Sequence, residues 1–433
     1  MRAQPHGWVR NVLTGMILVG GILLSILAAI VVFFATALVT SWISVMTSLA
    51  ILVFLLIAVS SARFAAKRLG ISQRRRFGSL IGLGGLAVVI LVAWVTVFRP
   101  APLPGALEPL PDMQYWTLAP GSRLAYVHYA AQGRPKETPL IFLHGGPGGP
   151  LTQDNLRLFQ QFTQDGFDVY LYEQIGTGHS DRSADLRDYS VKRNVDDLEA
   201  IRQTLGADQM VLAGSSWGGE LAATYLGMYP EHVAKVILMN PSQLWGAPEL
   251  EADYGRTAGT DLGVKLSPRA IVTFLLLSIN PQAAQNLTSQ QEMGAFMDQQ
   301  AEQFVRVSYC AEDADNVPML DPTKPIGFNF YVNRLVQEQT GELPELRPRL
   351  RTVQTPVLLL RGECDYIPWE AHREYRDLLP NTTHLYIENA GHSLGGTQME
   401  LTTAAIRAFL LDQPLPLEAY TGENDPATAS IRR

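Results

Sequence analysis

The feature that most constrains the fold of this chain is a long apolar stretch near its start. Residues 12–59 contain no Asp, Glu, Lys or Arg, and a second charge-free stretch covers residues 77–98. A helix that crosses a bilayer needs about 20 apolar residues, so the first stretch is long enough for two crossings. We divide it at residues 40–42. The sequence then predicts three transmembrane helices, near residues 12–38, 43–61 and 79–98.

A cleaved signal peptide is the competing interpretation of the first apolar segment. The apolar core of a signal peptide spans about 7–15 residues and ends at a cleavage site of small residues. Here the apolar run is longer and no such site stands out. We therefore expect a retained helix, and residues 1–99 form the predicted membrane region.

Positive charges predict the orientation of these helices, because Lys and Arg in short loops stay on the cytoplasmic side. Arg2 and Arg10 precede the first helix, and the second and third helices are separated by a basic stretch: Arg63, Lys67, Arg68, Arg74, Arg75 and Arg76. Two crossings separate the two basic regions, so both face the cytoplasm. The third crossing then places everything after Arg99 outside the cytoplasm.

The remainder of the chain is acidic and poor in cysteine. The net charge of the 433 residues is −7 although the membrane region is basic, which argues against nucleic acid as a partner. The two cysteines, Cys310 and Cys364, are too few for a disulfide framework. An oxidising compartment would permit one bridge between them, and the sequence leaves that pairing and the oligomeric state open.

After the membrane region the chain divides into a linker, a globular domain and a tail. Residues 100–112 contain five prolines, which favour an extended and semi-rigid spacer. Residues 113–412 form the predicted globular domain. The tail, residues 413–433, has too little apolar content to pack, and we expect it to be disordered.

Short apolar runs and amphipathic helices alternate through the globular domain. The helix expected at residues 191–205 has apolar residues at spacings of three and four. The predicted strands are 124–129, 140–144, 169–173, 210–213, 236–239, 357–361 and 384–387. This alternation predicts an α/β fold with a mostly parallel sheet flanked by helices. Residues 243–354 interrupt it with helix-forming, polar sequence, which we interpret as an inserted helical cap.

The strongest motif is G-x-S-x-G at residues 214–218, between an expected strand at 210–213 and an expected helix at 220–228. A strand that turns sharply into a helix is the context of a nucleophile elbow, which exposes the central serine, here Ser216. A Gly/Ser-rich loop without a catalytic role is the alternative. The presence of suitable partners later in the chain favours the nucleophile.

Those partners follow Ser216 in the order acid, then histidine. Asp365 follows the strand at 357–361, and His392 follows the strand at 384–387. We therefore predict a catalytic triad of Ser216, Asp365 and His392. Glu363 is the rival acid, because it lies two residues nearer the end of its strand.

Acyl transfer also needs N–H donors for the oxyanion, usually from the residue after the nucleophile and from the loop after an earlier strand. Trp217 follows Ser216, and a glycine-rich loop follows the strand at 140–144. Within that loop we choose Gly146 over Gly145 as the second donor. A merely flexible turn is the alternative for this loop.

Five segments together resemble the prolyl aminopeptidase (proline iminopeptidase) group of α/β hydrolases: HGGPGGP, YEQIGTGHS, GSSWGG, GECD and AGHS. The likeness covers about residues 123–242 and 355–410. It implies the α/β-hydrolase fold with a helical cap, the same triad and oxyanion hole, and no metal or other cofactor. It also implies cleavage of an N-terminal residue, often proline, from short peptides.

The chain departs from that family in two places. Ile175 and His179 stand where the family usually has arginines. The family also needs carboxylates in the cap to hold the α-ammonium group of the substrate. Glu312, Asp313 and Asp315 are the candidates for this role, and a solvated acidic turn is the alternative.

These observations leave three functional hypotheses. The first is an aminopeptidase in which Ser216, activated by His392, attacks the carbonyl of a small peptide. The second is an esterase or lipase that acts on small or lipidic acyl esters near the bilayer. The third is an inactive binding module on a membrane anchor, and the intact triad argues against it.

Overall fold

The computed structural model describes residues 7–103, 105–244, 266–299, 301, 305–306, 308–310, 321, 324–338 and 343–426. The chain divides into two compact units. We call Met1–Pro102 with Lys265–Glu292 the helical unit, and Leu103–Val264 with Met293–Arg433 the sheet unit.

The described strands are β1 Gln114–Thr117, β2 Arg123–Tyr129, β3 Leu140–Leu143, β4 Val169–Tyr172, β5 Met210–Ser215, β6 Val233–Met239, β7 Val357–Cys364 and β8 Thr382–Gly391. The described helices are α1 Gly7–Ala37, α2 Ile43–Leu69, α3 Arg74–Ala93, α4 Gln153–Gln160, α5 Val191–Leu205, α6 Trp217–Met228, α7 Pro268–Ile279, α8 Pro281–Leu287, α9 Gln290–Asp298, α10 Phe330–Glu338, α11 Arg347–Leu350, α12 Trp369–Leu378, α13 Leu394–Thr397 and α14 Met399–Leu410. A π-helical turn, Trp94–Phe98, extends α3. Short 3₁₀ turns occupy Gln161–Asp165, Leu186–Asp188 and Pro230–His232.

The helical unit contains three helices that are long and apolar enough to cross a membrane, as the charge-free stretches predict: Asn11–Ala37, Ile43–Leu69 and Arg74–Phe98. The second helix is longer than expected. It carries Lys67 and Arg68 on its last turn and ends at Gly70, whose left-handed backbone lets its N–H bond to the last carbonyl groups. Part of the basic stretch is therefore helix rather than loop.

Helices α7 and α8 also belong to the helical unit, although the sequence suggests one continuous cap over residues 243–354. Ser267 caps the start of α7, and Asn280 caps the start of α8. The reason for the difference is that polar side chains of this segment bond to the ends of the apolar helices. Helices α10 and α11 stay with the sheet unit, and residues 245–265 lie outside the described residues.

The sheet unit is built on an eight-stranded sheet in the order β1-β2-β4-β3-β5-β6-β7-β8. Strands β1 and β2 are antiparallel to their neighbours, and the strands from β4 to β8 are parallel. All four residues of β3 are buried, as are the first six of β7. Buried parallel strands need helices on both faces, which explains why their sequences are continuous apolar runs.

The sequence predicts most of this unit. Helix α5 has the expected bounds, because Ser190 caps its first turn and Gly206 ends it with left-handed backbone. The seven expected strands are present with shifted ends, and β1 was not expected. The predicted α/β fold with a mostly parallel sheet is confirmed.

The first part of the tail differs from the expected disorder. The backbone N–H of Tyr420 donates to the carbonyl of His384 at 2.7 Å. Arg361 donates to Asp425, and Trp369 donates its indole N–H to the carbonyl of Glu423. These contacts are polar, so a count of apolar residues does not reveal them. Residues 427–433 lie outside the described residues.

Candidate active site

The parallel strands end at one edge of the sheet, and the predicted site residues follow those ends. Leu143 pairs with Gly214, so the end of β3 lies beside the end of β5. Ser215 pairs with Met239 at the end of β6. Cys364 pairs with Gly391, so the ends of β7 and β8 are also neighbours. Ligands of open parallel sheets bind at this edge.

Ser216 occupies a strained turn between β5 and α6. Its backbone has φ 55° and ψ −122°, a conformation that residues with a side chain seldom adopt. A Cβ atom on Gly214 would lie 2.1 Å from the carbonyl oxygen of Gly218, and one on Gly218 would lie 1.9 Å from that of Leu143. Both glycines of the motif are therefore required by the packing. Strain of this kind is typical of functional sites.

The glycine-rich loop after β3 lies against Ser216. A Cβ atom on Gly145 would be 3.0 Å from the Cβ of Ser216 and 3.6 Å from its Oγ. Gly146 has φ 132°, which only glycine adopts without strain. Asn333 of α10 donates its side-chain amide to the carbonyl oxygens of Gly146 and Pro147, at 3.3 Å and 2.9 Å. The loop is thus fixed beside Ser216.

A buried hydrogen-bond network connects the glycine-rich loop to Trp217, the residue after Ser216. The amide of Gln174 donates to the carbonyl of His144 at 3.0 Å and accepts from the indole N–H of Trp217 at 3.0 Å. The backbone N–H of Gln174 donates to Nε2 of His144 at 2.9 Å, and Nδ1 of His144 bonds to the carbonyl of Gly145. Burial lowers the pKa of His144, so its ring is neutral and holds one fixed tautomer.

His392 and Asp365 form a close pair. Nδ1 of His392 lies 2.6 Å from Oδ1 of Asp365, whose side chain is fully buried. The rival carboxylate of Glu363 instead accepts the backbone N–H of Asn389 at 2.9 Å. Glu363 is the last residue but one of β7, whereas Asp365 lies just beyond the strand and is the carboxylate in contact with His392.

Asp365 has a second histidine partner. Nε2 of His372, on α12, lies 3.3 Å from Oδ2 of Asp365. Arg361 donates to Nδ1 of His372 at 3.0 Å, so the N–H of this ring is on Nε2 and faces the carboxylate. Burial lowers the pKa of His372, which keeps the ring neutral. Burial alone would raise the pKa of Asp365, but electrostatic interaction and hydrogen bonding with His392, together with the contact with His372, outweigh it and hold that pKa below its ordinary value.

Asn240 joins the loops that carry the acid and the histidine. It follows β6 directly, is fully buried and has φ 44°. Its amide nitrogen donates to the carbonyls of Gly391 and His392, each at 3.0 Å. Its amide oxygen accepts the N–H of Gly362 at 2.9 Å. Asn240 is therefore a positioning residue for His392 and for the end of β7.

A disulfide bond connects residues 308–310 of the expected cap to the loop that carries Asp365. Cys310 is bonded to Cys364, which directly precedes Asp365. Next to it, the N–H of Ser393 donates to the carbonyl of Ser308 at 3.0 Å. The sequence leaves open whether the two cysteines are bonded, and in the structure they are. The disulfide and the hydrogen bond together connect residues 308–310 to the loops that carry Asp365 and His392.

The structure places Ser216, Asp365, His392, Gly146 and Trp217 at one edge of the sheet, as the sequence predicts. Glu312, Asp313 and Asp315 lie outside the described residues. At the two departures from the family pattern, Ile175 is buried, and Nδ1 of His179 lies 3.0 Å from the buried carboxylate of Glu173. This hydrogen bond raises the pKa of His179.

Sequence reasoning missed Asn240, Gln174 and His372. Asn240 had a usable signal, because it follows a buried parallel strand just as the site residues do. Gln174 follows β4 in the same manner, two residues after its end. His372 had no such signal, since it lies within a polar helix.

Comparison with known proteins supports the fold described above. A family model described as the alpha/beta hydrolase fold matches residues 138–268. A proline iminopeptidase from Flavobacterium johnsoniae is 26% identical over 263 residues, which are 58% of this chain and 82% of the relative. A proline iminopeptidase from Heyndrickxia coagulans is 28% identical over 298 residues, 67% of this chain and 96% of the relative.

Among solved structures, the crystal structure of VinJ matches with a TM-score of 0.50 and 20% identity, over 71% of this chain and 100% of that chain. At this identity the match concerns the fold. The α/β-hydrolase fold is therefore confirmed, and so is the resemblance to proline iminopeptidases that the motifs indicate. The chain is a hydrolase of this fold, preceded by three long apolar helices.

Proposed function

We propose that this protein is a serine hydrolase in which Ser216 is the nucleophile, His392 the general base and Asp365 the residue that orients it. The observation that carries the proposal is the 2.6 Å contact between Nδ1 of His392 and Oδ1 of Asp365, at the sheet edge where Ser216 occupies a strained elbow. Such a constellation is identified by geometry and roles.

The mechanism follows from the hydrogen bonds. Because Asp365 is ionised and accepts the Nδ1–H of His392, Nε2 of His392 carries a lone pair and takes the proton of Ser216. Ser216 Oγ attacks the substrate carbonyl, while the N–H groups of Gly146 and Trp217 stabilise the oxyanion. His392 returns the proton to the leaving group. Water, activated in the same way, then releases the acyl group from Ser216.

The substrate class we propose is the N-terminal residue of a short peptide, as in a prolyl aminopeptidase. The support is that the similar proteins from Flavobacterium johnsoniae and Heyndrickxia coagulans are both named proline iminopeptidase and match over most of their length. Glu312 and Asp313 are the proposed ligands of the substrate's α-ammonium group.

We also propose that the three apolar helices anchor the protein in a membrane, with the active site outside the cytoplasm. The basic residues near the start of α1 and around the end of α2 support this orientation. The Cys310–Cys364 disulfide supports it independently, because such bonds persist in oxidising compartments. A reporter fused near Ala106 tests the orientation, and a cytoplasmic reporter would contradict it.

A fluorophosphonate probe on the full-length protein tests the nucleophile. We expect labelling in the wild type, loss of labelling in Ser216→Ala, and wild-type labelling in Ser278→Ala, which changes an exposed serine of the helical unit. Asp365→Asn should reduce labelling by about 10⁴-fold because the histidine tautomer is no longer fixed. Glu363→Gln should leave it near the wild-type rate. Equal losses in the last two variants would reject Asp365 as the acid.

Turnover assays test the substrate class. Arylamides of proline and alanine report peptidase activity, and acyl nitrophenyl esters report esterase activity. We expect cleavage of the proline arylamide that disappears in Ser216→Ala. Ester turnover without arylamide cleavage would overturn the peptidase proposal and leave the serine mechanism intact.

A further inference from the structure

The segment of residues 265–292 belongs to the helical unit even though the sequence around it forms the sheet unit. It contains α7, α8 and the start of α9. Its composition is unusual for a cap, because residues 262–291 include no Asp or Glu. Its one acidic residue, Glu292, is bonded to Arg269, so the segment presents no unpaired carboxylate to the anionic headgroups of a bilayer.

Three side chains of this segment bond to the apolar helices. Asn280 donates to the carbonyl of Ala37, the last residue of α1, at 2.8 Å. Asn286 donates to the carbonyl of Ser41, between α1 and α2, at 3.0 Å. Arg269 donates to the carbonyl of Val97, in the π-helical turn after α3, at 2.5 Å.

These three positions lie at the same end of the helices, because α1 and α3 run in one direction and α2 begins where α1 ends. Exposed tryptophans mark that end: Trp42 precedes α2, and Trp94 begins the π-helical turn. Tryptophan is enriched where a membrane helix passes from hydrocarbon to headgroups. The segment is therefore fastened at the depth of a membrane interface.

Two charged side chains of the segment are paired with each other. Arg269 forms a buried pair with Glu292, with Nη2 2.8 Å from Oε2, and Nη2 also donates to the carbonyl of Leu287. Glu292 in turn accepts the N–H of Ala101 at 2.9 Å. The hydroxyl groups of Thr273 and Thr288 join α7 to α8 at 2.7 Å. These polar groups are buried against the helical unit, so the outer face of α7 carries apolar side chains and the single hydroxyl group of Ser278.

That outer face is an exposed apolar stripe. Ile271, Leu275 and Ile279 are spaced by four residues, lie on one side of α7, and are 43%, 50% and 38% exposed. Leu24 in the middle of α1 is exposed to a similar degree, at 56%. A helix that lies in the plane of a membrane buries its apolar face at the boundary between headgroups and acyl chains.

We infer that α7 is an interfacial membrane helix, which lies in the plane of the leaflet at the end of α1 and α3 and places Ile271, Leu275 and Ile279 among the lipid acyl chains. This inference rests on the proposed membrane anchoring. Its occupant is the bilayer itself, because the stripe continues the apolar surface of the helices to which α7 is bonded.

Site-specific photocrosslinking of the full-length protein in phosphatidylcholine nanodiscs tests the inference. The photoreactive residue p-benzoylphenylalanine is introduced singly at Leu275, at Leu24 as the membrane reference, and at Glu231, an exposed residue of the sheet unit, as the background. We expect the variant at Leu275 to form lipid adducts at a level comparable to the variant at Leu24. The variant at Glu231 should form adducts only at the background level.

The outcomes separate the two proposals. Adducts at Leu24 with only background at Leu275 would overturn the interfacial helix and leave the anchoring intact, whereas background at both would reject the anchoring. Protein adducts at Leu275 would show that another chain covers the stripe and would also overturn it. If the Leu275 variant does not fold, the wild-type protein in nanodiscs with a diazirine-tailed lipid gives the same decision. Lipid attached to residues 271–279 supports the inference. Lipid attached to α1 but not to residues 271–279 refutes it.

Discussion

Asn240 offers a sharp test of how the active site is held together, because it touches no reacting atom. Its side chain makes three hydrogen bonds, to the carbonyls of Gly391 and His392 and from the N–H of Gly362. Asn240→Ala removes all three and leaves buried backbone groups without these partners. At about 1 kcal/mol for each bond, the expected loss of folding free energy is about 3 kcal/mol.

Backbone conformation adds a smaller cost. Asn240 has φ 44°, where alanine is less stable than asparagine or glycine by about 1 kcal/mol. Asn240→Gly therefore serves as the matched variant, because it loses the same hydrogen bonds without that penalty. Thermal unfolding should rank the proteins as wild type, then Asn240→Gly, then Asn240→Ala, and each kcal/mol should lower the Tm by about 2–4 °C.

The kinetic effect should be larger than the loss of stability explains. Without Asn240 the loop of His392 is no longer fixed to β7, and a displacement of about 1 Å in a catalytic group costs about 100-fold in rate. The assay is the rate of fluorophosphonate labelling of Ser216, measured at a temperature where both variants are folded. Labelling of the folded variants within twofold of the wild-type rate, with the Tm lowered as expected, would refute the positioning role.

Three further predictions concern other parts of the sheet unit. Gln174→Ala removes the acceptor of the Trp217 indole and the donor to the carbonyl of His144, so labelling of Ser216 should slow, whereas Trp217→Phe removes only the indole donor and should retain more of the rate; a wild-type rate in Gln174→Ala would argue against the link. Replacing Cys310 and Cys364 by serine opens a loop with a sequence separation of 54, which should cost up to about 4 kcal/mol by loop entropy, and an unchanged Tm would contradict this. His384 is buried without a hydrogen-bond partner for its ring among the described residues, and burial lowers its pKa to about 3. Because an unfolded histidine takes up a proton near pH 6.5, stability should fall as the pH drops below that value, by about 2 kcal/mol at pH 5. His384→Phe should reduce the difference in Tm between pH 7 and pH 5, and an unchanged difference would reject this assignment.

The parts of this protein that could be predicted are those whose cause lies within a short stretch of sequence. The spacing of apolar residues in α5, with Ser190 before it and Gly206 after it, specifies the helix and both its ends. The nucleophile motif is local for the same reason. Gly214 and Gly218 are required by contacts of the turn itself, and the turn is what exposes Ser216.

The interactions that could not be predicted join residues far apart in the chain. Asn240 contacts residues 122 and more positions away, and Gln174 contacts Trp217 across 43 positions. Which carboxylate contacts His392 also depends on the path of the chain through β8, since His392 lies 27 positions from Asp365. No periodicity within one element encodes such pairings.

The placement of residues 265–292 shows the same limitation on a larger scale. Helix α7 is apolar enough to be the core of a cap, and a pattern alone does not distinguish a helix that packs on a cap from one that packs on a membrane helix. The difference lies in Arg269, Asn280 and Asn286, whose polar groups are satisfied by carbonyls of the helical unit. Without α1 and α3, Asn280 and the buried Arg269 would each lose a carbonyl partner, and the apolar residues beneath α7 would be exposed to water. The apolar helices are therefore not a detachable anchor but part of what folds the middle of the chain.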